Sequence, residues 1–193
     1  MLSFNERLAI LEDDLKAKPI RISAYHDLPF AIFRYDETDE WNMRKAASRL
    51  ATRLRESAGY EVRIISLAEM LWKAIEENDT IEDLAEEERE FGFERSQDTV
   101  NRYLTSEDFS PLTELLSEQL MDLDPKKDIA FVMRAASLAP SIYQISQLMG
   151  QMYGRTKIPA VLFYPGSLEG TFALRFMSLP DRIPTGSYRV KIY

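Results

Sequence analysis

The sequence predicts an α/β protein with a mostly parallel sheet, helices on both faces and a helical insertion in the middle of the chain. Short apolar runs without polar alternation are typical of strands that are buried on both faces. Amphipathic helical segments separate these runs, in the order strand, helix, strand, helix. The length of 193 residues, of which 45% are hydrophobic, suits a single domain that spans residues 1–193.

Local signals mark the ends of the elements in the first third of the chain. Ser3 with Glu6, and Ser66 with Glu69, have the spacing of capping boxes that open helices. Gly59 follows an amphipathic segment and can adopt the left-handed conformation of a helix C-cap. The predicted elements are a helix to about residue 18, a strand at 29–35, a helix at 39–58, a strand at 62–66 and a further helix.

The middle of the chain, about residues 78–124, predicts only helices and forms the insertion. It contains an acidic helix, a short helix around residues 100–104 and a helix that begins at Ser110-Pro111. Ser110 is expected to be the N-cap of the last of these helices because a proline follows it at the first helical position. We expect the insertion to pack on one side of the sheet.

The remaining third predicts a strand at 128–134, a helix at 140–153, a strand at 160–164 and strand candidates at 171–177 and 188–193. Ligands on parallel α/β folds bind beyond the carboxyl ends of the strands. The residues expected at those ends are Tyr35, Asp36, Ser66, Arg134 to Ser137, Tyr164, Pro165 and Gly166.

The charge of the chain is unevenly distributed. Residues 76–90 contain nine acidic residues and one basic residue, so they account for the whole net charge of −8. From Arg134 onward, the sequence contains seven basic residues and two acidic ones. The acidic segment is either a solvated helix face or a docking surface for a basic partner. The acidic balance argues against general nucleic-acid binding, which depends on clustered Lys and Arg.

The sequence lacks the residues that several classes of catalytic and metal site require. The chain has no cysteine, and His26 is its one histidine, so thiolate sites and multi-histidine metal sites are excluded. The glycine-rich phosphate loop and the G-x-S-x-G nucleophile elbow are absent from the sequence. We therefore expect neither a cofactor nor a bound metal, and no catalytic residues.

An enzymatic alternative stays open at the strand ends. Asp36 and Asp39 follow the first strand, and Arg134 follows the third. Carboxylates at a strand end can hold Mg²⁺ for phosphoryl chemistry. This alternative is a degenerate nucleotide-binding or metal-dependent phosphoryl-transfer enzyme, although the further carboxylates of such sites are missing.

No apolar run approaches the roughly 20 residues that span a membrane. The first residues also lack the basic and apolar regions of a signal peptide. We therefore expect a cytoplasmic protein without a membrane partner.

The last third resembles a known family. The segments 158–166, Gly170, 174–177 and 188–193 are similar to the C-terminal signature of the BrxB family, small proteins of bacteriophage exclusion (BREX) defence operons. The order of the upstream elements is also similar.

The resemblance implies a cytoplasmic component of a multi-protein phage-defence system, with the phosphatase-like protein PglZ as the expected direct partner and other BREX components as further partners. A non-catalytic adaptor then needs contact surfaces. The candidates are the acidic helix and the C-terminal segment, with the residues Glu82, Glu86, Glu87, Glu88, Arg175, Tyr188 and Arg189.

Overall fold

The computed structural model describes residues 2–23, 28–139, 142–170, 173–179 and 190–193, so His26 lies outside the described part. The helices are α1 (Phe4–Lys16), α2 (Glu40–Ala58), α3 (Leu67–Asn78), α4 (Ile81–Phe91), α5 (Phe93–Thr105), α6 (Leu112–Met121) and α7 (Ile145–Gln151). The strands are β1 (Phe30–Tyr35), β2 (Glu61–Ser66), β3 (Asp128–Met133), β4 (Ala160–Glu169), β5 (Ala173–Phe176) and β6 (Lys191–Ile192).

The described strands form one sheet in the order β2-β3-β4-β1-β6, and all of these neighbours are parallel. Only β5 runs antiparallel among them, paired with the end of β4. From β1 the chain crosses β4 and β3 to reach β2 with α2 on one face, then returns through β3 to β4 with helices on the other face. Both connections therefore have the same hand. The prediction of a mostly parallel α/β sheet is confirmed.

Each face of the sheet has its own hydrophobic core. Ala31, Phe33 and Tyr35 of β1 point toward α1 and α2, whereas Phe30 and Ile32 point toward the other helices. This alternation places apolar side chains on both faces of the central strands, which explains why the strands read as continuous apolar runs. We call the two sides the α1–α2 face and the α3–α7 face.

The predicted caps are present, although only the one at Ser3 and Glu6 is a complete capping box. The Ser3 hydroxyl accepts a hydrogen bond from the Glu6 amide at 3.3 Å, and the Glu6 carboxylate accepts from the Ser3 amide at 2.7 Å. Ser66 accepts from the Glu69 amide at 3.3 Å at the start of α3. Gly59 ends α2 with a φ of 73°. These caps fix the entry of α1 and α3 and the exit of α2.

The middle of the chain is helical, as predicted, but its helices differ in detail. α5 is longer than the predicted segment at 100–104, because its buried side chains extend from Ser96 to Leu104. The expectation that Ser110 caps the next helix is wrong. Its hydroxyl donates instead to the Glu77 carboxylate at 2.6 Å, and α6 begins after Pro111 without a side-chain cap.

Two other expectations also change. The predicted helix at 140–153 is confined to α7, with a 3-10 helix at Ala135–Leu138 before it, and residues 140–141 lie outside the described part. β2 is an edge strand, so only Ile65 of its residues is buried and Ile64 is 50% exposed. Of the last two strand candidates, the structure describes β5 and β6, while residues 171–172 and 188–189 lie outside the described part. Within the described ranges, no helix combines the length and apolar character needed to cross a membrane.

Candidate functional site

Parallel α/β folds usually bind their ligands at the carboxyl edge of the strands. β1 ends at Tyr35, β2 at Ser66 and β3 at Met133, and Arg134 then takes a left-handed conformation with a φ of 63°. Arg134 is exposed. Non-glycine residues adopt this conformation infrequently. The strand ends thus bring the predicted residues to one edge of the sheet.

A hairpin of the chain lies at this edge. β4 continues beyond the parallel strands and pairs with β5, and Gly166 lies opposite Phe176. The Met177 amide donates to the Pro165 carbonyl at 3.0 Å, and the Ser178 hydroxyl donates to the Glu37 carboxylate at 2.9 Å. The second of these bonds ties the hairpin to the residues that follow β1, where such folds usually receive a ligand.

The acidic turn after β1 uses its carboxylates locally. Asp36 accepts hydrogen bonds from the Thr38 hydroxyl and the Thr38 amide, at 2.5 and 3.0 Å, and these bonds lower the pKa of Asp36. Asp39 accepts from the Asn42 side chain at 3.2 Å. Across the described ranges, no group of three or more His, Cys, Asp or Glu side chains has the geometry to hold a metal. The turn therefore caps a 3-10 helix, and nothing in its geometry favours the enzymatic alternative.

The acidic helix is α4, and it is the least embedded helix of the fold. None of its residues is buried, and only Leu84 packs against the core of the α3–α7 face. Ile81 at its start is 52% exposed and Phe91 at its end is 62% exposed. Thr80 caps the helix by accepting from the Asp83 amide at 3.1 Å. α4 is thus a capped helix that presents large apolar side chains to the solvent.

Three of the predicted acidic residues lie exposed on α4. The side chains of Glu82, Glu86 and Glu88 make no hydrogen bond or ion pair in the ranges that the structure describes. Glu82 and Glu86 share one face because they are four residues apart, and Glu88 lies in the same stripe as Ile81 and Phe91. These residues form two adjoining stripes of the helix, and we call Ile81, Glu82, Glu86, Glu88 and Phe91 together the α4 surface.

Glu87 differs from the other three carboxylates. It accepts a hydrogen bond from the Thr99 hydroxyl at 2.9 Å and forms an ion pair with Arg95 at 3.2 Å. Both partners belong to α5, and Thr99 is buried. Glu87 therefore joins α4 to α5, and we do not count it in the α4 surface; its predicted contact with a partner stays a prediction.

The C-terminal candidates are only partly within the described residues. Arg175 lies on β5, and its guanidinium bonds the Glu169 carboxylate across the hairpin at 2.5 Å. This bond raises the pKa of Arg175 and lowers that of Glu169. Tyr188 and Arg189 lie outside the described residues. The structure thus assigns Arg175 an intramolecular contact within the hairpin.

Phe91 is not among the contact residues that the sequence predicted. The sequence does contain a pattern that points to it, because Ile81, Glu88 and Phe91 have helical spacing beside the acidic residues. The sequence does not show that Leu84 is the residue of α4 that packs against the core, nor that both ends of the helix are exposed.

Replacing Glu87 by alanine is expected to loosen α4 rather than unfold the protein. The variant loses the bonds to Thr99 and Arg95, a cost of about 1 kcal/mol, and leaves the buried Thr99 hydroxyl without that acceptor. Hydrogen exchange of the α4 amides should accelerate. Glu86→Ala, one residue away and exposed, is the matched control and should leave exchange unchanged. Equal exchange in both variants would contradict the role of Glu87.

The fold and its edge define a doubly wound α/β protein, with helices on both faces of a mostly parallel sheet. The chain matches the family described as BREX protein BrxB over residues 63–190, which is more than half of its length. It belongs to the BrxB family and is therefore a component of a BREX phage-defence system, as the resemblance implied. No curated protein and no solved structure is significantly similar to it.

Proposed function

We propose that the chain is a non-catalytic adaptor within a BREX complex and that its α4 surface binds the PglZ-type protein of the same system. The main support for this proposal is the composition of the exposed α4 surface. Its three carboxylates have no side-chain partner in the described part of the chain, and they lie between two large exposed apolar side chains at the ends of the helix. Large exposed apolar side chains beside unpaired charges are typical of a protein-binding patch.

The electrostatics of the α4 surface favour a basic partner surface. Glu82, Glu86 and Glu88 are exposed, so their charges add to a local negative potential that accelerates association with positive surfaces. Ile81 and Phe91 supply apolar area that becomes buried on binding. The partner should therefore present apolar side chains between Lys or Arg residues.

The strand ends supply a second argument for an adaptor. The hairpin of β4 and β5 is fastened beside the acidic turn by the bond between Ser178 and Glu37. The carboxylates of Asp36 and Asp39 serve local hydrogen bonds. A binding role on the outer surface of the protein accounts for these contacts without requiring chemistry at the strand ends.

A charge-altered variant tests the proposal. Glu82→Gln, Glu86→Lys and Glu88→Lys are combined, because a lysine at residue 82 would oppose the helix dipole in the first turn. Glu87 is left intact because it joins α4 to α5. We expect the affinity for the PglZ-type protein, measured by biolayer interferometry, to fall at least tenfold.

The matched control carries the same change of charge elsewhere. Asp13→Asn, Glu56→Lys and Asp122→Lys alter exposed residues of other elements. This control should bind the partner as the unaltered protein does. Equal affinity of the α4 variant and the control would contradict the proposal, provided that both variants keep the thermal midpoint of the unaltered protein.

A further inference from the structure

The α1–α2 face contains a groove that the proposed function does not use. Two cavities, of about 570 and 240 Å³, lie between α1 and α2. They share Asn5, Ala46 and Arg49 among their lining residues, so they form one elongated depression. We call it the α1–α2 groove.

The groove combines apolar and polar groups along its length. Phe4, Leu8 and Ala46 contribute apolar surface. Asn5 and Asn42 add side-chain amides, which can hydrogen-bond to a peptide backbone. A depression with apolar surface and a few polar groups is typical of a site that binds a segment of another molecule.

The positive charge of the groove comes from Lys45 and Arg49. They are four residues apart on α2, both are exposed, and neither makes an ion pair with the residues that the structure describes. Farther along, Arg53 bonds Glu12 at 2.7 Å, and Glu12 also accepts from Lys16 at 2.6 Å. These contacts lower the pKa of Glu12 and offset its charge, so that it does not cancel the positive end of the groove.

The contacts around the groove select among anionic ligands. The amides at the start of α1 do not face an anion, because the Ser3 and Glu6 side chains already form a capping box there. The Asp39 carboxylate lines the same cavity and repels a phosphate dianion more strongly than a single carboxylate, because the repulsion grows with the charge of the ligand. Two free cations are also too few to follow a nucleic-acid backbone. An extended peptide with spaced carboxylates suits the elongated shape of the groove and the side-chain amides of Asn5 and Asn42.

We propose that the α1–α2 groove binds an extended acidic segment of a partner protein, with its carboxylates on Lys45 and Arg49. The α4 surface lies on the opposite face of the sheet and has the opposite charge. The groove is therefore a second binding surface, independent of the first. A protein with both surfaces can hold two partners at once.

A displayed peptide library tests this proposal without any BREX partner. Random peptides of about ten residues, about 33 Å when extended, are selected on the immobilised protein. The peptide that is most enriched is then synthesised with a fluorophore, and its affinity is measured by anisotropy. We expect enriched peptides to carry Asp or Glu. Failure to enrich any peptide, or enrichment of peptides without acidic residues, would overturn the proposal.

Two variants locate the binding site of the selected peptide. Lys45→Ala with Arg49→Ala should weaken binding at least tenfold, and alanine at these exposed helix positions preserves the fold. Arg63→Ala with Lys126→Ala removes two exposed cations elsewhere and should leave binding unchanged. Equal affinity of both double variants would overturn the proposal. The charge-altered α4 variant should bind the peptide normally, so failure of the groove and failure of the α4 surface are distinguishable.

Discussion

Replacing Gly166 by alanine is expected to lower the free energy of unfolding by about 4 kcal/mol. Gly166 has a φ of 145°, a region that side-chain-bearing residues rarely adopt. A Cβ atom placed there would lie 2.1 Å from the Arg175 carbonyl oxygen, which belongs to the backbone of β5. Because β5 pairs with β4 at this position, the strands would have to separate to admit the methyl group.

The loss of stability at residue 166 should exceed the loss caused by a positive φ alone, because the added methyl group also clashes with the backbone of β5. Gly154 also has a positive φ, of 73°, but an added Cβ there meets no atom within 4 Å. Gly154→Ala should therefore cost only about 1 kcal/mol. Chemical denaturation of both variants provides the comparison. Similar midpoints for the two variants would show that the hairpin does not require a glycine at residue 166.

Replacing Asp14 by alanine is expected to cost about 2 kcal/mol of stability. Asp14 is buried on α1, yet it accepts hydrogen bonds from Lys191 and from the Tyr193 hydroxyl, the latter at 2.7 Å. Arg21 forms an ion pair with the same carboxylate at 3.2 Å. The substitution would leave these donors without their shared acceptor and detach β6 from α1. Asp13→Ala, on an exposed neighbour, should change stability by less than about 0.5 kcal/mol.

The Asp14 contribution should also depend on pH in a defined direction. Burial opposes ionisation of this carboxyl group, but the hydrogen bonds from Lys191 and Tyr193 outweigh burial and lower the pKa of Asp14 below its ordinary value of 3.8. A lowered pKa stabilises the folded state above the unfolded pKa, and this stabilisation is lost as the pH falls through the folded pKa. The difference in stability between the unaltered protein and Asp14→Ala should be constant at neutral pH and shrink below about pH 4. A difference that grows with acidity would contradict the assignment.

The sequence predicted the parts of the fold that depend on local signals. The capping residues Ser3 and Ser66 and the C-cap Gly59 mark helix ends through contacts within a few residues. The apolar runs that become β1, β3 and β4 were recognisable because both faces of these strands are buried. The parallel class followed from their alternation with helices.

Features that depend on distant contacts were not predictable. Asp14 meets Lys191 and Tyr193 from the opposite end of the chain, and no local pattern marks such a pair. Gly166 looked like a turn residue beside Pro165, whereas its role comes from the approach of β5. Ser110 and Glu87 were assigned from local patterns, but bonds to Glu77, Thr99 and Arg95 determine what they do.

The candidate site was predictable only in part, for the same reason. The acidic segment was evident from composition, but the burial of neighbouring residues decides which carboxylates face the solvent. Lys45 and Arg49 gave no signal as a pair, because α1 forms the other side of their groove and lies far away in sequence. A charged residue on a helix acquires a binding role only when tertiary packing shapes the surface around it.

Co-elution of this protein with the PglZ-type protein of its own system tests whether the two proteins bind through the α4 surface. Size-exclusion chromatography with light scattering gives the mass of any complex at about 150 mM and about 500 mM salt, where screening shortens the range of exposed charges. We expect a complex at the lower salt concentration that weakens at the higher one and is lost when the α4 surface is altered. The absence of a complex at both salt concentrations, or a complex that the α4 variant forms equally well, would contradict it.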